Sequence, residues 1–77
     1  MGKIKVALVE DQRLFRDGLY ALLNASPEFE MIGVADNGLQ FLSMLEKGKV
    51  PDVALIDMNM PHLNGFELVE ILVKRYP

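Results

Sequence analysis

Cysteine and tryptophan are absent from this chain of 77 residues, and aromatic residues make up only 8% of it. Without cysteine there can be no disulfide and no thiolate metal site. No apolar run approaches the roughly 20 residues that a membrane span needs. The start, Met1-Gly2-Lys3, lacks the apolar stretch of a secretory signal, and Val6 stands where a myristoylation motif needs Ser or Thr. These absences predict a cytoplasmic location and no membrane contact. An excess of positive charge is also missing. The net charge of −3 speaks against nucleic-acid binding by this chain itself, because that affinity comes mostly from Lys and Arg on phosphates. What is present is 51% hydrophobic and 25% charged residues, the balance of a globular core. A chain this short buries only about 60% of its unfolded surface, so one small domain, or part of one, of marginal stability is expected.

Apolar periodicity predicts alternating strands and helices. Lys3 to Val9 reads as a strand whose second half is apolar at every residue, as in a parallel strand covered on both faces. A helix follows from Asp11 or Gln12, with Leu14, Phe15, Gly18, Leu19, Leu22 and Leu23 on its inner face and Arg13, Arg16 and Asp17 outside. Asn24-Ala25-Ser26-Pro27 stops it. Glu28 to Ala35 is a weaker strand suited to an exposed edge, since Gly33 interrupts it and Glu28 and Glu30 are charged. Asp36-Asn37-Gly38 turns into a second helix that buries Phe41, Leu42 and Leu45, with Gly48 placed to end it. Asp52 to Asp57 is a third strand. Phe66 to Tyr76 is a third helix burying Val69, Leu72 and Val73, with Lys74 and Arg75 at the negative end of its dipole. Three βα units imply a parallel sheet with right-handed crossovers, an α/β fold.

Two of these strands end in acid. Asp57 closes Val53-Ala54-Leu55-Ile56, and Glu10-Asp11 follows Val6-Ala7-Leu8-Val9. Ligand sites in parallel α/β sheets lie outside the carboxyl ends of the strands. If the two strands are neighbours, three carboxylates converge there, and their repulsion calls for a cation among them. Mg²⁺ suits such a site, because it uses one or two carboxylates, several waters and a substrate phosphate. A carboxylate can also attack a phosphoryl group to give an aspartyl phosphate. Taken alone, Asp11 could simply cap the first helix. Asp36 and Asp52 read as turn residues, and His62 as a solvent-exposed loop residue with no second His or Cys beside it. Phe15, Phe41, Phe66 and Tyr20 read as core or core-edge aromatics, and Met58 and Met60 as loop packing.

Glu10-Asp11, Asp57, Met60-Pro61 and Gly65 together resemble the receiver domain of bacterial two-component response regulators. The stretch Glu10 to Leu19 looks especially like receivers that carry a LuxR-type helix-turn-helix output domain. The resemblance implies a flavodoxin-like, chemotaxis-regulator-like fold with helices on both faces of the sheet. It implies that Asp57 is the phosphoacceptor for a sensor histidine kinase and that Glu10, Asp11 and Asp57 hold Mg²⁺, with the Asn59 backbone carbonyl completing the protein's ligands. Pro61 would rigidify the loop, and Gly65 would allow a positive φ there. The protein would control a DNA-binding transcriptional output domain that this chain does not contain, and would be an enzyme only toward its own phosphorylation and dephosphorylation.

Family receivers have five strands in the order 2-1-3-4-5, so residues 1–77 correspond to the N-terminal half, with order 2-1-3. The family's Ser or Thr after strand four and Lys after strand five have no counterpart in this chain, so phosphorylation is expected to be slow. The third strand would be an open apolar edge, inviting self-association or swapping of elements. An unphosphorylated interaction module is the main alternative. An aspartate-nucleophile phosphohydrolase is less favoured, because Asn59 stands where a general acid is needed. A flavodoxin-like nucleotide module lacks its Gly-rich loop.

Overall fold

Six elements alternate in the computed structural model, which describes residues 2–58, 60 and 63–76. They are β1 (Ile4–Val9), α1 (Arg13–Asn24), β2 (Phe29–Ala35), α2 (Gly38–Glu46), β3 (Val53–Ile56) and α3 (Gly65–Arg75). The sheet order is β2-β1-β3, and both pairings are parallel. The all-apolar half of β1, Val6 to Val9, is buried because that strand is paired on both sides and covered on both faces. Strand and helix ends fall within a residue or two of the sequence expectation, where backbone pairing rather than side-chain pattern decides the boundary.

Side chains alternate across a strand, so Ala7 and Val9 point to one face. There they join Ala35, Phe41, Leu45, Met60 and Leu68 in the core, with Ala54, Ile56 and Leu72 packed at its margin. Burying a side chain such as Leu68 or Phe41 contributes about 1.5–3 kcal/mol. β2 is the outer edge expected of it. Its register with β1 slips between Val6 and Ala7, which pair with Met31 and Gly33 and leave Ile32 bulged. Gly33 leaves room for the tip of Met44, since a Cβ at this position would lie 2.1 Å from Met44 Cε.

Helix ends follow their local chemistry. The Asn37 side chain accepts from the Gln40 N–H and starts α2, while Lys47 ends it and Gly48, at φ 89°, takes the left-handed position beyond. Asn64 and Glu67 form a reciprocal capping box at the start of α3.

Two helix faces depart from expectation. α1 has no buried residue. It rests on the sheet through Leu19, Leu23 and Arg16, which is half-buried rather than outside. Leu14 (89% exposed), Phe15, Gly18 and Leu22 form an open flank. Arg16 turns inward because Asp36, beyond β2, offers it an ion pair that joins α1 to the β2–α2 turn. In α3 the buried line is Gly65 and Leu68, with Leu72 half-buried, so Val69, Val73 and Phe66 stay exposed. Its capping box and the tight seating of Gly65 fix the rotation of α3 about its axis. Asp52 does more than turn the chain: its Oδ2 accepts from the Lys5 N–H at 2.8 Å, and its own N–H donates to the Lys5 carbonyl at 2.8 Å.

Candidate acidic phosphoryl-transfer site

The site is built at the carboxyl ends of the two central strands. Val9 of β1 is in register with Ile56 of β3, so the next residues, Glu10 and Asp57, emerge side by side. Backbone bonds hold both in place. The Asp57 N–H donates to the Val9 carbonyl at 3.0 Å, and the Glu10 N–H donates to the Ala35 carbonyl at 3.0 Å. The ladder thus runs one residue past each strand and fixes where each carboxylate leaves the sheet.

Glu10, Asp11 and Asp57 each present a carboxylate oxygen, and all three lie within 4.8 Å of one another. Glu10 is buried, with 5% of its surface exposed, and Asp11 and Asp57 are half-buried. Burial pushes the Glu10 carboxyl above its ordinary range. The Gln12 N–H, which donates to Glu10 Oε1 at 3.2 Å, works against that rise, while the charges of Asp57 and Asp11 and a shared hydrogen bond with Asp57 add to it. Asp11 does not cap α1. That position belongs to Gln12, whose side chain makes no capping bond. Asp11 Oδ1 is fully buried with no hydrogen-bond partner among the described residues.

These features fit a divalent cation. A buried carboxylate oxygen without a donor costs several kcal/mol unless a positive charge serves it. Three hard oxygen ligands on one side, with the other side open, match the way Mg²⁺ is held. An open groove lined by Glu10, Asp57, Met58, Phe15 and Leu19 gives access to the acids.

The structure therefore brings together Glu10, Asp11 and Asp57, which the sequence singled out. Asn59, Pro61 and His62 lie outside the described residues. Met60 is buried in the core, and Met58 is exposed. Gly65 corrects one expectation. Among the described residues only Gly48 has a glycine φ in the positive range, so Gly65 is not needed for a left-handed turn. It is needed for space: a Cβ there would lie 2.5 Å from Met58 Cα and 2.6 Å from the Asp57 carbonyl oxygen. The start of α3 is thereby seated directly against the backbone that carries Asp57. The Gln12 N–H was not anticipated, because a backbone donor at a turn leaves no mark in residue types.

A parallel α/β sheet with an acidic cluster at the carboxyl ends of adjacent strands defines a class of Mg²⁺-type phosphate sites. Residues 6–77 match the family described as the response regulator receiver domain, and the chain belongs to that family. It is 40% identical over 76 residues to the transcriptional regulatory protein DegU of Brevibacillus brevis, spanning 99% of this chain and 32% of that protein. Among solved structures it resembles the signal receiver domain of the response regulator NarL from Mycobacterium tuberculosis, with TM-score 0.88 and 33% identity over 97% of this chain and 60% of that one. The response regulator domain of Thermotoga maritima CheB gives TM-score 0.88 and 32% identity, over 99% of this chain and 56% of that one. The chain thus spans about a third of DegU and somewhat over half of the two solved domains. The three-stranded 2-1-3 sheet with its helices has the flavodoxin-like receiver fold. Among the described residues, no helix is long and apolar enough to cross a membrane.

Proposed function

We infer that Asp57 accepts a phosphoryl group from a phosphohistidine on a sensor kinase, within a domain of which residues 1–77 form the N-terminal part. The observation that carries this reading is the convergence of Glu10, Asp11 and Asp57 with a buried, unpartnered Asp11 oxygen. Glu10, Asp11 and Asp57 would hold Mg²⁺, together with the Asn59 carbonyl. The ion would neutralise charge on the transferring phosphoryl oxygens, which is the main demand of this chemistry.

The chain's own part is positioning. The bond from the Asp57 N–H to Val9 sets the carboxylate at the mouth of the groove. One Asp57 oxygen attacks phosphorus, the P–N bond to the donor imidazole breaks, and the imidazole leaves with its electron pair. The product is an acyl phosphate on Asp57. Asp11 and Glu10 take no part in bond making.

The similarity to DegU and NarL supports an output domain of the LuxR-type, DNA-binding kind, acting in the cytoplasm on transcription. Phosphorylation would shift a two-state equilibrium that the output domain senses. Self-association along the open β3 side is a further partner reading.

The test is intact mass after incubation with acetyl phosphate, with and without Mg²⁺, on this chain and on Asp57→Asn, with circular dichroism to confirm folding. One added phosphoryl group that requires both Asp57 and Mg²⁺ is expected. A folded chain that gains no phosphoryl group, when a chain extended by further strands also gains none, would identify an interaction module instead.

A further inference from the structure

The two edges of the sheet are treated differently. β2 carries a bulge at Ile32 and the exposed Glu30, devices that discourage pairing with another chain. β3 pairs with β1 in regular register and consists of Val53-Ala54-Leu55-Ile56, with neither a charge nor a bulge. Above that edge lies the open flank of α3. Phe66, Val69, Val73 and the cap residue Tyr76 are 66, 39, 64 and 43% exposed. Their spacing of three, four and three residues is that of a coiled-coil seam.

Their direction follows from the neighbours of α3. α2 packs on β2, and Arg75 Nη1 lies 4.0 Å from Glu46 at the end of α2. At 100° per residue the middle of the stripe is turned roughly 140° from Arg75, past the sheet-facing line of Gly65, Leu68 and Leu72. It therefore faces away from β2, over the β3 edge.

We propose that this stripe is a seam between two copies of the chain, joined α3 to α3 antiparallel about a twofold axis. The seam is self-complementary in that arrangement, as a twofold interface must be. Phe66 meets the partner's Tyr76, and Val69 meets the partner's Val73. Charge agrees as well. Glu67 lies in the first turn of α3 and Lys74 and Arg75 in the last, so antiparallel pairing sets acid against base at both ends and opposes the helix dipoles. Glu70 and Lys74, already 3.9 Å apart within the helix, border the seam and would exchange partners across it. Direct pairing of β3 with its copy is disfavoured, because it would set Asp52 against Asp57 at each end.

Sedimentation equilibrium of the 77-residue chain tests this, with circular dichroism to monitor folding. A reversible monomer–dimer equilibrium is expected as concentration rises. Val73→Glu should raise the dissociation constant at least about tenfold without unfolding the chain, since Val73 faces solvent in the monomer. Glu70→Lys should weaken the dimer, and adding Lys74→Glu should restore it. A chain that stays monomeric would overturn the proposal and leave the stripe to another occupant, further polypeptide included. A dimer indifferent to Val73→Glu and to the charge reversal would overturn it equally.

Discussion

Glu10 carries the electrostatic tension of the site. Its folded-state pKa lies above the ordinary value of 4.5, chiefly because it is buried and then because of its acidic neighbours. Between those two values the folded chain holds more protons than the unfolded one, so stability falls as pH rises. For a chain freed of metal by a chelator, the Glu10 contribution should be fully present below about pH 4.5 and lost as pH climbs through the raised value. The slope in that window can reach about 1.4 kcal/mol per pH unit. Urea denaturation should show this fall in the parent chain and a flatter profile in Glu10→Gln, which is neutral throughout. A parent and variant of identical slope would mean that Glu10 is not under strain. That Glu10, Asp11 and Asp57 belong together was legible in the sequence, because four apolar residues followed by an acid mark a strand end in a parallel sheet. The unpartnered Asp11 oxygen and the Gln12 N–H were not, since each depends on the path of a single turn.

At the scale of elements, two glycines near helix ends serve different physical ends. Gly48 ends α2 in a left-handed conformation, whereas Gly65 lets α3 touch the backbone of Asp57 and Met58. Gly48→Ala should cost about 1 kcal/mol in conformational strain, and Gly48→Asn less, because Asn tolerates that region. Gly65→Ala should cost about 1–3 kcal/mol through overlap with main chain that cannot yield, and Gly65→Asn no less. Denaturant titration of the four variants separates the two causes. Equal tolerance of Asn at both positions would overturn the steric account. Asn64→Ala, which dismantles the capping box, should lose about 0.5–2 kcal/mol in the same measurement. Elements were largely legible because period and turn residues mark them. Helix rotation was not. Val69 and Val73 match a buried helical stripe as well as Leu68 and Leu72 do, and only the close seating of Gly65 decides between them. On α1 the apolar arc is wider than the surface β1 and β2 offer, so sequence alone could not say which half the sheet would cover.

The molecule as a whole couples its marginal core to the charge of its site. Two strands of the core, β1 and β3, are paired by only four residues each way, and both end in carboxylates that repel one another. Any cation that joins those carboxylates also ties the ends of the strands together, so its binding energy becomes folding energy. A ligand that binds only the folded state at a hundred times its dissociation constant adds about 2.7 kcal/mol. For a chain this small that is a large fraction of total stability. Saturating Mg²⁺ should therefore raise the thermal midpoint by several degrees, and a chelator should reverse the rise. Asp11→Asn should remove most of the effect, because it takes away one charge and neutralises the buried oxygen that no donor serves. Asp52→Asn, at the opposite end of β3, should shift the midpoint through its bond to Lys5 yet leave the Mg²⁺ increment intact. The comparison separates binding at the site from general screening of a chain with net charge −3, since screening would respond to both substitutions alike and to any salt of equal ionic strength. An increment that survives Asp11→Asn, or that sodium chloride reproduces, would detach the cation from this site and leave the acidic cluster unexplained.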